Sequence, residues 1–280
     1  MWTKHPIIRL DMSSVTNRTA EIFEQDLIRK LNEIAAEHSL MLKGTSAANH
    51  LESLIKQLST AEKVVVLIDE YDKPLIDNID NLEIASSNRK ILQEFYTILK
   101  SQDENLRFVF LTGVTEFSKI SVFSGLNNLN DLTFSTDYSA LLGYTKDELK
   151  RYFSSEIDDV ANVNGLTIEE CNQRTKEWYN GYRFSKRDET VYNPFSTLKL
   201  LDSKDFAAHW FETGTPHFLI ELIKKRHFDL ANLEEIIVSL HSFSSFDIEE
   251  LPLLPLLYQT GYLGMVQIWL TAGNSCSPSI

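Results

Sequence analysis

Hydrophobic positions switch between two periods along the first half of this chain. His5-Pro-Ile-Ile-Arg-Leu-Asp11 is a short apolar run that ends on a carboxylate and predicts a buried strand. Phe23, Leu27, Leu31 and Ile34 then fall at helical spacing, with charged and amide side chains between them. Leu51, Leu54, Ile55 and Leu58 mark one face of a second helix. Val64-Val-Val-Leu-Ile68 is a continuous β-branched run, the pattern of a parallel strand covered on both faces. Ile91, Leu92, Phe95, Ile98 and Leu99 give a third helix, and Arg107-Phe-Val-Phe-Leu-Thr112 a third strand. Strand and helix alternate, which predicts an α/β fold built from right-handed crossovers.

Past about residue 135 the pattern changes. Leu149, Tyr152 and Phe153 predict a short helix, opened by the cap Thr145-Lys-Asp-Glu148. Trp178-Tyr-Asn-Gly-Tyr-Arg-Phe184 is aromatic and rich in turn residues, and Asn193-Pro-Phe-Ser196 predicts a turn into a helix through Leu198 and Leu201. Short helices are expected at 218–225, 232–240 and 253–258. No linker of glycine, serine and proline separates the halves, so they are expected to pack together. Leu251 to Ala272 carries no charge, but Pro252, Pro255, Gly261 and Gly264 interrupt it. That stretch reads as a short helix, a turn and a buried strand rather than a membrane span.

Composition narrows the classes. The 280 residues are 43% hydrophobic and 24% charged, ordinary globular proportions that exclude a disordered chain. The net charge of −13 argues against a broad nucleic-acid surface, which needs clustered lysine and arginine. Two cysteines, Cys171 and Cys276, are too few for a disulfide framework or a zinc site of CxxC type, and the seven histidines show no ligand spacing. The amino-terminal residues lack a signal-peptide core, so a cytoplasmic, reduced protein is expected.

The sharpest chemical feature follows the second strand: Asp69-Glu70-Tyr71-Asp72. A buried strand of a parallel sheet carries its last residues to the carboxyl edge, where ligands of open α/β folds bind. There Asp69 can hold a magnesium ion that bridges nucleotide phosphates, and Glu70 can orient and deprotonate a water. This is the pattern of the second nucleotide motif, Walker B, of P-loop ATPases. The plain alternative is a strand that stops at two solvated acids. The neighbouring strand ends in Thr112, the first choice for a γ-phosphate sensor, with Thr115 second. Arg183 is either a phosphate-reaching arginine or one stacked among aromatics, and Lys224-Lys225-Arg226 reads as a solvated helix end.

Six stretches in order carry a family resemblance: Leu67-Ile-Asp-Glu-Tyr-Asp-Lys-Pro74, Phe110-Leu-Thr-Gly-Val-Thr-Glu-Phe117, Phe123-Ser-Gly-Leu-Asn-Asn-Leu129, Trp178 to Phe184, Tyr192-Asn-Pro-Phe-Ser196 and Trp210-Phe-Glu-Thr-Gly-Thr-Pro216. Together they resemble the AAA-ATPase-like family, found largely in bacteria and often followed by a PD-(D/E)XK nuclease-like domain. The resemblance spans residues 5 to 263. It implies an ATPase core over 1–135, a helical, winged-helix-like region over 136–263 and an atypical tail over 264–280. It also implies ATP and Mg²⁺ as cofactors of the complete family member, with Glu70 catalytic, Asp69 on the metal, and Thr112 and Arg183 at the nucleotide.

Two departures qualify what the resemblance implies. No GxxxxGK[ST] loop occurs in the 280 residues; the family carries this Walker A loop and its strand upstream, and its backbone N–H groups and lysine cradle the phosphates. The expectation is therefore a partial P-loop sheet ordered 7–11, 64–69, 107–112, with Asp131-Leu-Thr-Phe134 either beside the last strand or detached. After Leu263 the sequence follows no family pattern, which suggests a frameshift or a mispredicted end. The chain reads as a truncated ATPase-like fragment with weak nucleotide binding or none. The alternative is a non-enzymatic interaction module with a protein partner or a second copy, nucleic acid being disfavoured by charge. A nuclease on Asp69, Glu70 and Asp72 is the third and weakest reading.

Overall fold

The computed structural model describes residues 3–113, 122–123, 128–185, 187–209, 238–239, 253–259, 264–269 and 275–279. Its first elements are β1 (Ile7–Asp11), α1 (Ala20–Glu37), α2 (Ala47–Leu58), β2 (Val64–Asp69), α3 (Lys73–Ile76), α4 (Leu82–Ser101) and β3 (Leu106–Leu111). Each long helix starts on a side-chain cap: Thr19 accepts from Ile22, Ser46 from Asn49 and Asn81 from Ile84. The expected apolar faces are buried, with Ala35 rather than Ile34 completing the α1 face.

The three strands form a parallel sheet in the expected order β1-β2-β3. Ile7 pairs with Val65 and Asp11 with Asp69, while Val65 pairs with Phe108 and Leu67 with Phe110. Along β1 and β2 burial alternates. Ile8, Leu10, Val64, Val66 and Ile68 are buried, and Val65 and Leu67 are only half-buried. The continuous apolar run of β2 therefore does not mean cover on both faces. Its second face continues into Ile7 on one side and Phe108 on the other, 52% and 53% exposed. No strand covers β3 from 131–134 either. There Asp131 accepts from both the N–H and the hydroxyl of Thr133, and the Ser135 N–H reaches the Leu132 carbonyl. These local bonds make a turn instead of a strand.

Two compact units divide the chain, residues 1–129 with 241–260 and residues 130–240 with 261–280. The second unit contains α5 (Lys146–Tyr152), α6 (Ser154–Asn164), α7 (Ile168–Tyr179), a bulged antiparallel hairpin of β4 (Asn180–Tyr182) and β5 (Val191–Tyr192), and α8 (Pro194–Ser203). Its core gathers Val160, Cys171, Tyr179 and Leu200. The expected helix at 232–240 is described only at Val238–Ser239, which is strand β6, paired with the strand Ser275–Ser279 that also pairs with Gly264–Trp269. The helix at 253–258 is present as Leu253–Gln259 and groups with the first unit. The stretches 210–216 and 218–226, and Thr115, lie outside the described residues. Among the described residues no helix is long and apolar enough to cross a membrane.

Candidate functional site at the carboxyl edge of the sheet

The site is built by the ends of β2 and β3. Thr112 donates its N–H to the Ile68 carbonyl at 2.9 Å, and its own carbonyl accepts from the Tyr71 N–H at 2.9 Å. Its hydroxyl donates to Oδ1 of Asp69. The same oxygen accepts from the Glu70 N–H at 3.1 Å. Asp69 itself is exposed at the strand end. Two residues picked out from separate strands of the sequence, Asp69 and Thr112, are thus in direct contact.

Beside them lies Asp11, in register with Asp69. Its Oδ1 accepts from the Ser13 N–H and hydroxyl at 2.9 and 2.6 Å, closing a short turn. Glu70 is half-buried, with a left-handed backbone at φ 50°. Burial pushes its carboxyl above the ordinary range, and the charges of Asp11, Asp69 and Asp77 add to that, with Lys73 opposing. Lys73 donates to Asp77 at 2.8 Å. Burial pulls the Lys73 ammonium down, but the Asp77 hydrogen bond and charge outweigh it and leave the group raised. Asp77 is held in turn by Asn17 at 3.0 Å, while Asn78 and Asn88 both donate to the Asn17 and Pro74 carbonyls. These bonds tie the turn after β1 to α3 and α4.

Asp72 is fully buried, and its carbonyl accepts from Leu75 and Ile76. Among the described residues no three acidic, histidine or cysteine groups are placed to hold a metal ion, so Asp69, Glu70 and Asp72 do not form a nuclease-type cluster. Arg183 lies in the second unit, after β4. It is buried, and its Nε donates to the carbonyls of Ser185 and Arg187 at 3.3 and 2.8 Å. A shallow hollow of about 440 Å³ lies at the opposite edge of the sheet, lined by Lys4, His5 and Glu62, and another of about 310 Å³ is lined by Asp11 and Ser14 beside the site together with Arg9, Lys30 and Glu33.

Sequence reading missed three residues that shape this site. Gly113 sits where an added Cβ would come within 2.4 Å of the Tyr71 ring and 2.8 Å of Asp72 Oδ1. Tyr96, wholly buried, donates its hydroxyl to the Tyr71 carbonyl at 3.2 Å. Phe123 packs on both rings, with centroids 4.9 Å from Tyr71 and 5.1 Å from Tyr96. The signal available was the Thr112-Gly113 step that closes β3.

Residues 1–123 match a known family, described as predicted AAA-ATPase. This part of the chain belongs to that family. The AAA-ATPase-like segment contains β1 to β3 and Asp69, Glu70 and Thr112. A relative from Azotobacter chroococcum mcd 1, named as an uncharacterized protein in the vnfD 5' region, is 38% identical over 274 residues. That match covers 95% of this chain and 50% of the relative, so the chain spans half the relative's length. No solved structure matches the chain.

Proposed function

We propose that the AAA-ATPase-like segment forms the acidic half of an ATP·Mg²⁺ site and supports ATP hydrolysis in the complete polypeptide. The observation that carries this reading is the junction of β2 and β3, where Asp69, Glu70 and Thr112 meet at the carboxyl edge. The donor chemistry fits magnesium. Oδ2 of Asp69 accepts no hydrogen bond among the described residues, and Mg²⁺ takes one or two carboxylates, completing its shell with phosphate oxygens and water. When bound, the ion neutralises charge on the phosphate oxygens.

The chain's own residues do the rest. Thr112 fixes the rotamer of Asp69 by its hydroxyl and couples the two strand ends through its backbone. Glu70, half-buried next to Asp69, takes the role of orienting a water and accepting its proton. What these residues do not supply is a phosphate cradle, since no GxxxxGK[ST] loop occurs in the sequence. We place the strand that would carry such a loop beside β3, a position supported by β3 standing last in the described order β1-β2-β3. The 280 residues alone then bind nucleotide weakly at most. The winged-helix-like reading of the second unit is supported by the combination of α5 to α8 with the β4–β5 hairpin.

The test is phosphate release by the complete polypeptide at millimolar ATP and Mg²⁺. Glu70→Gln is expected to lower it by at least about 10²-fold, and Asp69→Ala to remove its dependence on Mg²⁺. Release that survives both substitutions overturns the assignment.

A further inference from the structure

The end of β2 is out of step by one residue. In a regular parallel ladder, a residue whose N–H binds the carbonyl of residue 68 offers its own carbonyl to the N–H of residue 70. Thr112 does the first with Ile68, but its carbonyl takes the N–H of Tyr71. Glu70 is the extra residue, and its N–H turns back to the Asp69 side chain instead. Its φ of 50° is the left-handed conformation that admits such a bulge. A glutamate does not adopt that conformation without cost, so something around it must impose it.

The groups that impose it sit on Tyr71. Its N–H is bound by Thr112, its carbonyl receives the Tyr96 hydroxyl, its ring lies against Gly113 with no room for a Cβ, and Phe123 closes over both tyrosine rings. We infer that Tyr96, with Gly113, is a positioning residue that acts through Tyr71 to hold Glu70 in the bulge and so set where its carboxylate points. The inference rests on the reading of Glu70 as the water-orienting base. In a regular strand, Asp69 and Glu70 would face opposite sides of the sheet; a bulge breaks that alternation, which is how bulges re-aim side chains next to active sites. Burial holds the Tyr96 phenol well above its ordinary range, which keeps its hydroxyl a donor at every working pH.

The test is made on the full chain labelled for nuclear magnetic resonance. In the wild type, Glu70 is expected to give the strong intraresidue amide-to-Hα contact of a left-handed residue. Tyr96→Phe removes one oxygen and keeps the ring. It is expected to weaken that signature and shift the Glu70 resonances, and Gly113→Ala to shift them from the other side. A Glu70 signature that neither variant moves overturns the inference, as does a right-handed Glu70 in the wild type. Phosphate release by the complete polypeptide separates this failure from failure of the functional reading. If Glu70 acts as proposed, Tyr96→Phe lowers the turnover number about 10- to 100-fold with the KM for ATP unchanged, and Glu70→Gln lowers it further. A spectroscopic shift without any effect of Glu70→Gln keeps the clamp and removes the catalytic role. An unchanged turnover in Tyr96→Phe beside a damaged Glu70→Gln removes the clamp and keeps the base.

Discussion

At the scale of single residues the site is governed by close approach. Gly113 faces the side of the Tyr71 ring and the Asp72 carboxylate at distances no Cβ tolerates. Neither neighbour is the loose end of a flexible chain, so Gly113→Ala is expected to destabilise the protein by about 1–3 kcal/mol, the usual cost of overpacking, measured by urea denaturation. Thr112 was picked out in the sequence as a phosphate sensor because a polar residue closes an otherwise apolar strand beside the Asp-Glu strand; in the structure its hydroxyl donates to Asp69. The bulge at Glu70 was not legible. A single left-handed residue leaves no trace in a hydrophobic period, and glutamate carries none of the sequence marks of that conformation. Tyr71 and Tyr96 likewise carry no sequence mark of the hydrogen bond between them.

Elements follow their caps and their apolar faces, and diverge where one of these signals is weak. Thr145 and Glu148 form the expected capping box on α5, and Thr167 and Glu170 form a second on α7. The second has the same spacing, yet α7 buries only Cys171, Thr175 and Tyr179, too sparse an apolar face for periodicity to mark the helix. Thr145→Ala is expected to cost about 1 kcal/mol in a denaturant melt. Hydrogen bonds from the Thr145 N–H and hydroxyl hold the Glu148 carboxyl below its ordinary 4.5. A carboxyl that is more acidic folded than unfolded stabilises the fold above the unfolded value, and that increment is lost as pH falls through the folded one. Glu148→Gln is therefore expected to flatten this part of the stability profile below about pH 4.5, checked by melts across that range. On β3, Phe108 is expected to tolerate Glu with a stability change within about 0.5 kcal/mol while concentration-dependent association falls, measured by light scattering. An exposed apolar edge that pairs with other chains is what the substitution removes.

For the molecule as a whole, the strand order was readable because alternating runs of strand and helix leave few parallel arrangements. The half-bare second face of the sheet was not, since an apolar run looks the same whether one face or two are covered. The AAA-ATPase-like segment ends near the first unit's boundary, and the 38%-identical relative is about twice as long as this chain. The central claim is that Asp69 and Glu70 mark the place of a nucleotide-bound magnesium ion. Calorimetric titration of the 280-residue chain with ATP and Mg²⁺ tests it most directly, with Asp69→Ala alongside. The account predicts binding weaker than micromolar, and any heat of binding seen at millimolar nucleotide lost in Asp69→Ala. Micromolar binding that persists in Asp69→Ala would put the nucleotide elsewhere and contradict it.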